Sequence, residues 1–216
     1  MSKKIKVLLV DDHPLVREGL RSLISQHADL EICGEAESEP QGLELVGLMQ
    51  PDVAIVDITL ASGSGLELIK SIKSIYPTVT VLVLSMHDEH LYAERALRAG
   101  ARGYIMKREA AKKVIAGIRS VLAGQLYVTE KIAVMMAEKF VESRMVTTSS
   151  SLEQLSNREL EVLQLLGRGY GTRQIADHLH IGFKTVQAYS ARIKEKLKLA
   201  NASELMREAL RRNDNP

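Results

Sequence analysis

Ile5-Lys-Val-Leu-Leu-Val-Asp-Asp12 is a run of aliphatic and β-branched residues that stops on two carboxylates. Three later runs stop in the same way on other polar groups: Val53-Ala-Ile-Val56 ends at Asp57, Val79-Thr-Val-Leu-Val-Leu84 at Ser85, and Gly103-Tyr-Ile-Met106 at Lys107. Short apolar runs separated by segments of helical periodicity read as parallel strands buried on both faces in βαβ units. Leu30-Glu-Ile-Cys-Gly34 supplies a fifth, weaker strand. The intervening helices have start signals. Ser38 and Gln41 have capping-box spacing ahead of Leu43, Leu45, Val46, Leu48 and Met49. Pro14 suits a first helical turn, with Leu15, Val16, Leu20, Leu23 and Ile24 as an apolar stripe behind it. The pattern predicts five β–α repeats over about residues 5 to 123, an open, doubly wound α/β domain.

In such a sheet the carboxyl ends of the strands open onto one edge, so Asp11, Asp12, Asp57, Ser85 and Lys107 are expected to converge. Carboxylates a few ångströms apart repel one another, and one of them would take up a proton unless a cation joined them. Mg2+ suits the site because it wants oxygen ligands in near-octahedral array, keeps several waters and needs few protein carboxylates. On this reading Asp12 and Asp57 are direct ligands, Asp11 acts mainly through water, and the carbonyl of Thr59 completes the protein share. Asp57 is the expected nucleophile, accepting a phosphoryl group as an acyl phosphate. Mg2+ and Lys107 then neutralise the transferring group, and a hydrogen bond from Ser85 to a phosphoryl oxygen triggers the conformational change. A single strand-terminal Asp is often only a helix cap or a turn residue. Four strand ends in the order Asp-Asp, Asp, Ser, Lys outweigh that reading.

The same residues carry a family resemblance. Val7-Leu-Leu-Val-Asp-Asp-His-Pro-Leu-Val-Arg-Glu-Gly-Leu20, Asp57 with Gly65-Leu-Glu67, Leu84-Ser-Met86 and Ala99-Gly-Ala-Arg-Gly-Tyr-Ile-Met-Lys107 resemble the receiver domain of two-component response regulators, over residues 3–123. The resemblance implies a flavodoxin-like (βα)5 fold and phosphotransfer to Asp57 from the phosphohistidine of a cognate histidine kinase, with Mg2+. It also implies that the rotamer of Tyr104 follows Ser85. The chain would not be an enzyme, although such a domain promotes its own phosphotransfer and dephosphorylation. An Asp-nucleophile phosphatase of the haloacid dehalogenase type would carry Asp-x-Asp after the first strand, where this chain has Asp-Asp-His. Many receivers have Pro where this chain has Ala61, and Pro where it has Arg108. With Ser62-Gly-Ser64 following, the first change predicts a more flexible loop after Asp57.

Residues 124–151 are expected to form a linker, with a helix over 130–143 and a connector of flexible composition over 145–151. Beyond it the chain reads as all-helical. Ser156 and Glu159 form a capping box, Leu155 and Leu160 have staple spacing, and Leu160, Val162, Leu163, Leu165 and Leu166 are the expected buried positions. A short helix carrying Ile175, Ala176 and Leu179 is followed by the turn His180-Ile-Gly-Phe183 and a third helix, Lys184 to Lys198. Together they make a helix-turn-helix. At 100° per residue Val186, Ile193 and Leu197 share the core side of the third helix, flanked by Tyr189 and Ser190. Lys184, Gln187, Ala188, Ala191 and Arg192 lie opposite. The two alanines permit close approach to a major groove, Gln187 can pair with adenine, and Lys184 and Arg192 can hold phosphate or guanine. From Lys184 to Lys198 there are five basic residues and one acidic.

Leu155-Ser-Asn-Arg-Glu-Leu-Glu-Val-Leu163, Gln174-Ile-Ala-Asp-His-Leu179, Lys184-Thr-Val186 and Lys196-Leu197 resemble the LuxR/FixJ-type DNA-binding domain, over residues 152–212. The whole chain is thereby similar to NarL/FixJ response regulators. That implies double-stranded DNA as ligand, with an inverted repeat read by a homodimer formed on phosphorylation, and RNA polymerase as a further candidate partner. Tyr189 stands where the family usually has His, Gln187 where Lys is common, and Gly171 and Gly182 where Ser commonly caps.

At 216 residues, 45% hydrophobic and 26% charged, the chain has material for two cores. One cysteine, Cys33, excludes an intramolecular disulfide and suits a cytoplasmic location. The apolar stretch after Lys6 is too short for a signal peptide, and no run approaches the roughly 18 apolar residues of a membrane span, so no membrane partner is expected.

Overall fold

The computed structural model describes residues 4–143, 154–179 and 181–213. The connector expected at 145–151 and the turn residue His180 lie outside the described residues. The chain divides into two compact units, one through Glu138 and one from Lys139.

The first unit is built on β1 (Ile5–Val10), β2 (Leu30–Ala36), β3 (Val53–Val56), β4 (Thr80–Ser85) and β5 (Gly103–Met106). All neighbours are parallel, in the order β2-β1-β3-β4-β5. The order reverses direction at β1, which places a crevice at the carboxyl ends of β1 and β3. The strands are uniformly apolar because helices cover both sides of the sheet. Leu20 and Ile24 of α1 (Pro14–Ser25) and Val114, Ile118 and Val121 of α5 (Ala110–Leu122) pack with Val7, Leu9, Ile55, Leu82, Leu84 and Ile105. Contacts between α2 (Glu39–Met49) and α3 (Gly65–Ile75), and between α3 and α4 (Glu89–Ala99), form a second helical layer. A Cβ on Gly42 would stand 2.9 Å from Leu68 and 3.2 Å from Val10, so this glycine sets how closely α2 approaches.

Two expected stripes are narrower than the sequence suggests. Leu15 is 82% exposed; it lies more than a quarter-turn away from the Val16, Leu20, Leu23, Ile24 side of α1. On α2 only Val46 among the expected apolar positions is buried, while Leu48 and Met49 are exposed. Leu48 sits on the helix side opposite Val46, and Met49 is the final helical residue.

After α5 the chain returns along β5. Tyr127 accepts the Tyr104 N–H at 2.8 Å and donates its own N–H to Arg102 at 2.9 Å. Its ring and backbone occupy space opened by two glycines, since a Cβ on Gly103 would lie 2.9 Å from the Tyr127 carbonyl and one on Gly117 3.3 Å from the ring. Thr129 then accepts the Ile132 N–H at the start of α6 (Glu130–Ser143) and donates to Glu89 of α4.

The second unit is helical, with α7 (Asn157–Gly167), α8 (Thr172–His178), α9 (Phe183–Lys196) and α10 (Ala202–Asn213). The Ser156–Glu159 capping box forms, and Leu155 and Leu160 are both buried. At α8 glycine offers no capping oxygen, and only the return half of the box exists, Gln174 accepting the Gly171 N–H at 2.8 Å. Ile175, Val186, Ile193, Leu205 and Ala209 complete the core with the α7 leucines. Two glutamates of α7 are buried against that polarity pattern. Glu161 pairs with Arg158 at 2.8 Å, and Glu159 takes Lys196 at 2.6 Å, tying the end of α9 to the start of α7. Burial pushes the Glu159 carboxyl up, but Lys196 and the Ser156 hydrogen bonds outweigh it and hold it below its ordinary value. No helix among the described residues is long and apolar enough to cross a membrane.

Candidate functional site

Strand register brings the polar strand ends together. Val10 pairs with Val56, so Asp11 and Asp57, one residue further on, leave adjacent strands side by side. Ser85 pairs with Met106, which sets Lys107 one residue beyond Ser85. Lys107 Nζ lies 2.7 Å from Asp57 Oδ2 and 2.7 Å from Asp11 Oδ2. The Lys107 side chain is 5% exposed, and both carboxylates are buried with it. The other Asp57 oxygen accepts the Ile58 N–H at 2.7 Å, so both oxygens and the rotamer are fixed.

Burial pushes the Asp57 carboxyl up to about 6; Lys107 opposes the shift and Asp11 adds to it. Burial draws the Lys107 ammonium down, but the two carboxylates outweigh it and hold it above the ordinary lysine value. Asp11, Asp12, His13 and Asp57 each place a ligand atom within 4.8 Å of the others. Asp12 Oδ1 is buried without a hydrogen bond; His13 Nδ1 is 2.7 Å away, but not in hydrogen-bonding geometry. A buried oxygen lacking a donor beside two further carboxylates fits a hard divalent cation with an oxygen shell, as Mg2+ requires.

Thr59, Ser85 and Tyr104 meet at a residue the sequence reading did not single out. His87 donates its N–H to Ser85 Oγ at 3.2 Å and accepts the Tyr104 hydroxyl on its carbonyl at 2.8 Å. Its Nε2 hydrogen-bonds Thr59 Oγ1 at 2.7 Å, and its ring lies 4.6 Å from that of Tyr92. Burial pushes the Tyr104 phenol up, so this hydroxyl remains a donor. Arg17 was also missed. Its guanidinium donates to the Asp11 carbonyl at 2.6 Å while pairing with Glu37 at 2.6 Å, bracing the turn that presents Asp11 and Asp12. A single arginine in a helix gives no sequence signal of such a role, and the partners of His87 are set by loop geometry.

On α9, Lys184, Gln187, Ala188, Ala191 and Arg192 are all exposed, while Val186 and Ile193 are fully buried. Tyr189, Ser190 and Leu197 are half-buried at the margin. The five candidates therefore share one solvent-facing side of a helix anchored by Lys196.

Comparison with known proteins agrees with both halves. Residues 7–119 match the response regulator receiver domain, and residues 153–209 match the bacterial regulatory proteins of the luxR family. The oxygen regulatory protein NreC of Staphylococcus haemolyticus (strain JCSC1435) is 34% identical over 212 residues, covering 96% of this chain and 98% of NreC. Among solved structures, RcsB from Salmonella enterica serovar Typhimurium, bound to promoter rprA in the presence of the phosphomimetic BeF3-, shares the fold with a TM-score of 0.62. Its identity is 23%, with 96% of this chain and 99% of that one covered. A structure of two RcsB dimers bound to two parallel DNAs gives a TM-score of 0.57 at 24% identity, covering 97% and 98%. The chain belongs to the NarL/FixJ family of two-component response regulators, in which a receiver domain precedes a LuxR-type helix-turn-helix DNA-binding domain.

Proposed function

We propose that Asp57 is the phosphoacceptor of this response regulator, that its donor is the phosphohistidine of a cognate histidine kinase, and that the phosphorylated chain reads an inverted repeat as a dimer. One observation carries the reading: Asp57 is fixed through both oxygens in a buried pocket, with the Lys107 ammonium shared with Asp11. An acceptor carboxylate must be ionised to attack. With its carboxyl at about 6, Asp57 is mostly ionised at pH 7 even without a cation. As a carboxylate oxygen bonds to phosphorus, the phosphorus–nitrogen bond to the kinase histidine breaks and the nitrogen keeps its electron pair. Lys107 remains beside the new acyl phosphate to balance its charge. Asp12, Asp57 and the Thr59 carbonyl would hold Mg2+, with Asp11 acting through water; the bound ion supplies neutralisation of the phosphoryl oxygens. The Ser85 hydroxyl, now engaged with His87 and Tyr104, can turn to a phosphoryl oxygen, releasing the contacts that hold the β4–α4 loop.

Intact mass tests the acceptor. Acetyl phosphate with Mg2+ is expected to add about 80 Da, the mass of one phosphoryl group. No gain with acetyl phosphate or with a phosphorylated kinase would refute it.

The exposed side of α9 supports the DNA half of the proposal, as does the capture of the similarly folded RcsB as dimers on DNA. Lys184→Ala is expected to weaken binding to every sequence and to flatten the salt dependence by about one unit of slope. Gln187→Ala should instead cost about 1–3 kcal/mol on the specific site alone. Band-shift titrations on specific and random duplexes separate the two, and equal losses on both duplexes after the Gln187 change would remove its role in reading bases.

A further inference from the structure

We infer that Glu39 is a positioning residue for the Asp57 pocket: from the first turn of α2 its carboxylate holds the loop between Ile58 and Ser64 in the shape the pocket requires. The inference rests on the phosphoacceptor reading above. The loop lacks the proline common in receivers, carries Ser62-Gly-Ser64 and exposes Ala61, Ser62 and Gly63, yet it is pinned on every side.

At its base Gly65 donates to the Ile58 carbonyl at 2.8 Å, and Thr59 and Ser64 face each other as an antiparallel bridge. On the α4 side His87 takes the Thr59 hydroxyl. On the α2 side two backbone bonds, Ala61 N–H to Glu37 and Glu39 N–H to Ser62, lie at 3.1 and 2.9 Å. The Glu39 side chain joins them from α2, its Oε2 accepting the Ser64 N–H at 2.8 Å. Its stem also covers Gly63, where φ is +87° and an added Cβ would lie 2.4 Å from the Glu39 Cβ. Ser64 is the bridge partner of Thr59, so the Glu39 bond acts on the residue whose carbonyl is assigned to the cation.

The competing role for Glu39 is general: an acidic residue in the first turn of α2 favours the helix dipole. Glutamine separates the two, because it keeps an acceptor oxygen for Ser64 and loses the charge. In the full-length chain, Glu39→Ala is expected to weaken Mg2+ binding, measured by calorimetry, and to slow formation of the acetyl phosphate adduct. Both effects should be about five- to tenfold, the size expected for one lost hydrogen bond. Hydrogen exchange at the Ser64 amide should accelerate, and the metal-free melting temperature should fall by a few degrees in the alanine variant and less in the glutamine one. Glu39→Gln should stay within about twofold of wild type. Unchanged Mg2+ affinity in Glu39→Ala, or a glutamine variant as impaired as the alanine one, would overturn the inference while leaving the phosphoacceptor reading intact. A wild-type chain that neither binds Mg2+ nor gains the phosphoryl mass would overturn both.

Discussion

Asp57→Asn is expected to abolish the phosphoryl adduct and, in metal-free buffer at neutral pH, to raise the melting temperature of the chain. The two effects have one origin. A carboxylate placed for phosphotransfer stands where its charge is poorly solvated, and asparagine resembles its uncharged form in size and shape. The folded chain holds Asp57 at about 6 against an ordinary 3.8. Between those values the folded state keeps a proton that the unfolded chain has released, so stability falls as pH climbs from about 4 to about 6 and stays low above that. The shift sets an upper size of about 3 kcal/mol for the gain on substitution. Part of it is offset in the variant because Lys107 loses one of its two carboxylates and keeps only Asp11. A net gain of about 1–2 kcal/mol, or about 3–8 °C, is expected at pH 7.5, shrinking to nothing near pH 4. Added Mg2+ should stabilise wild type more than the variant. Thermal melts at the two pH values, with and without Mg2+, check all of this. A lower melting temperature for Asp57→Asn in metal-free buffer would show that burial does not dominate the energetics of this carboxylate.

The pocket was legible in the sequence because strand ends are one-dimensional signals. A buried parallel strand must be apolar, the first polar residue after it marks the carboxyl edge, and register then fixes the neighbours. Asp11, Asp57 and Lys107 needed nothing more. What the sequence could not carry is whatever depends on how loops lie across that edge. His87 joins Thr59, Ser85 and Tyr104 through a ring nitrogen, a backbone N–H and a carbonyl, two of which belong to no residue type in particular. Arg17 and Glu39 read as ordinary helix-surface charges until the loops they hold are seen. The expected flexibility after Asp57 was a property of composition alone. What composition does not show is the set of bonds this loop makes to Glu37, Glu39 and His87. In the second unit periodicity placed the leucines of α7 correctly but not Glu159 and Glu161, which are buried because Lys196 and Arg158 neutralise them.

Gly65→Ala is expected to disable the pocket from outside it. Gly65 opens α3 and touches no proposed ligand with a side chain, having none. A Cβ added there would stand 1.8 Å from the Asp57 carbonyl oxygen, 2.8 Å from the Asp57 carbonyl carbon and 2.9 Å from the Ile58 Cα. These are backbone atoms, with no rotamer that could move aside. Either α3 retreats from the loop or the peptide after Asp57 turns, and the second displaces both Asp57 and Thr59. The Gly65 N–H bond to Ile58 resists the first alternative. The strain is of the kind that costs about 3–5 kcal/mol, and a pocket misplaced by about an ångström loses on the order of 100-fold in rate. Calorimetric Mg2+ titration and adduct formation should therefore both fail or fall at least tenfold, with a lowered melting temperature. Gly19→Ala supplies the contrast within the same unit. It lies in α1 with nothing within 4 Å of its added Cβ, so it should stabilise by about 0.5–1 kcal/mol through helix propensity and leave phosphorylation untouched. If Gly65→Ala kept wild-type Mg2+ affinity and adduct rate, the close approach of α3 to the Asp57 peptide would not be what fixes the acceptor. The rigidity of the site would then have to come from Lys107 and the Ile58 N–H alone.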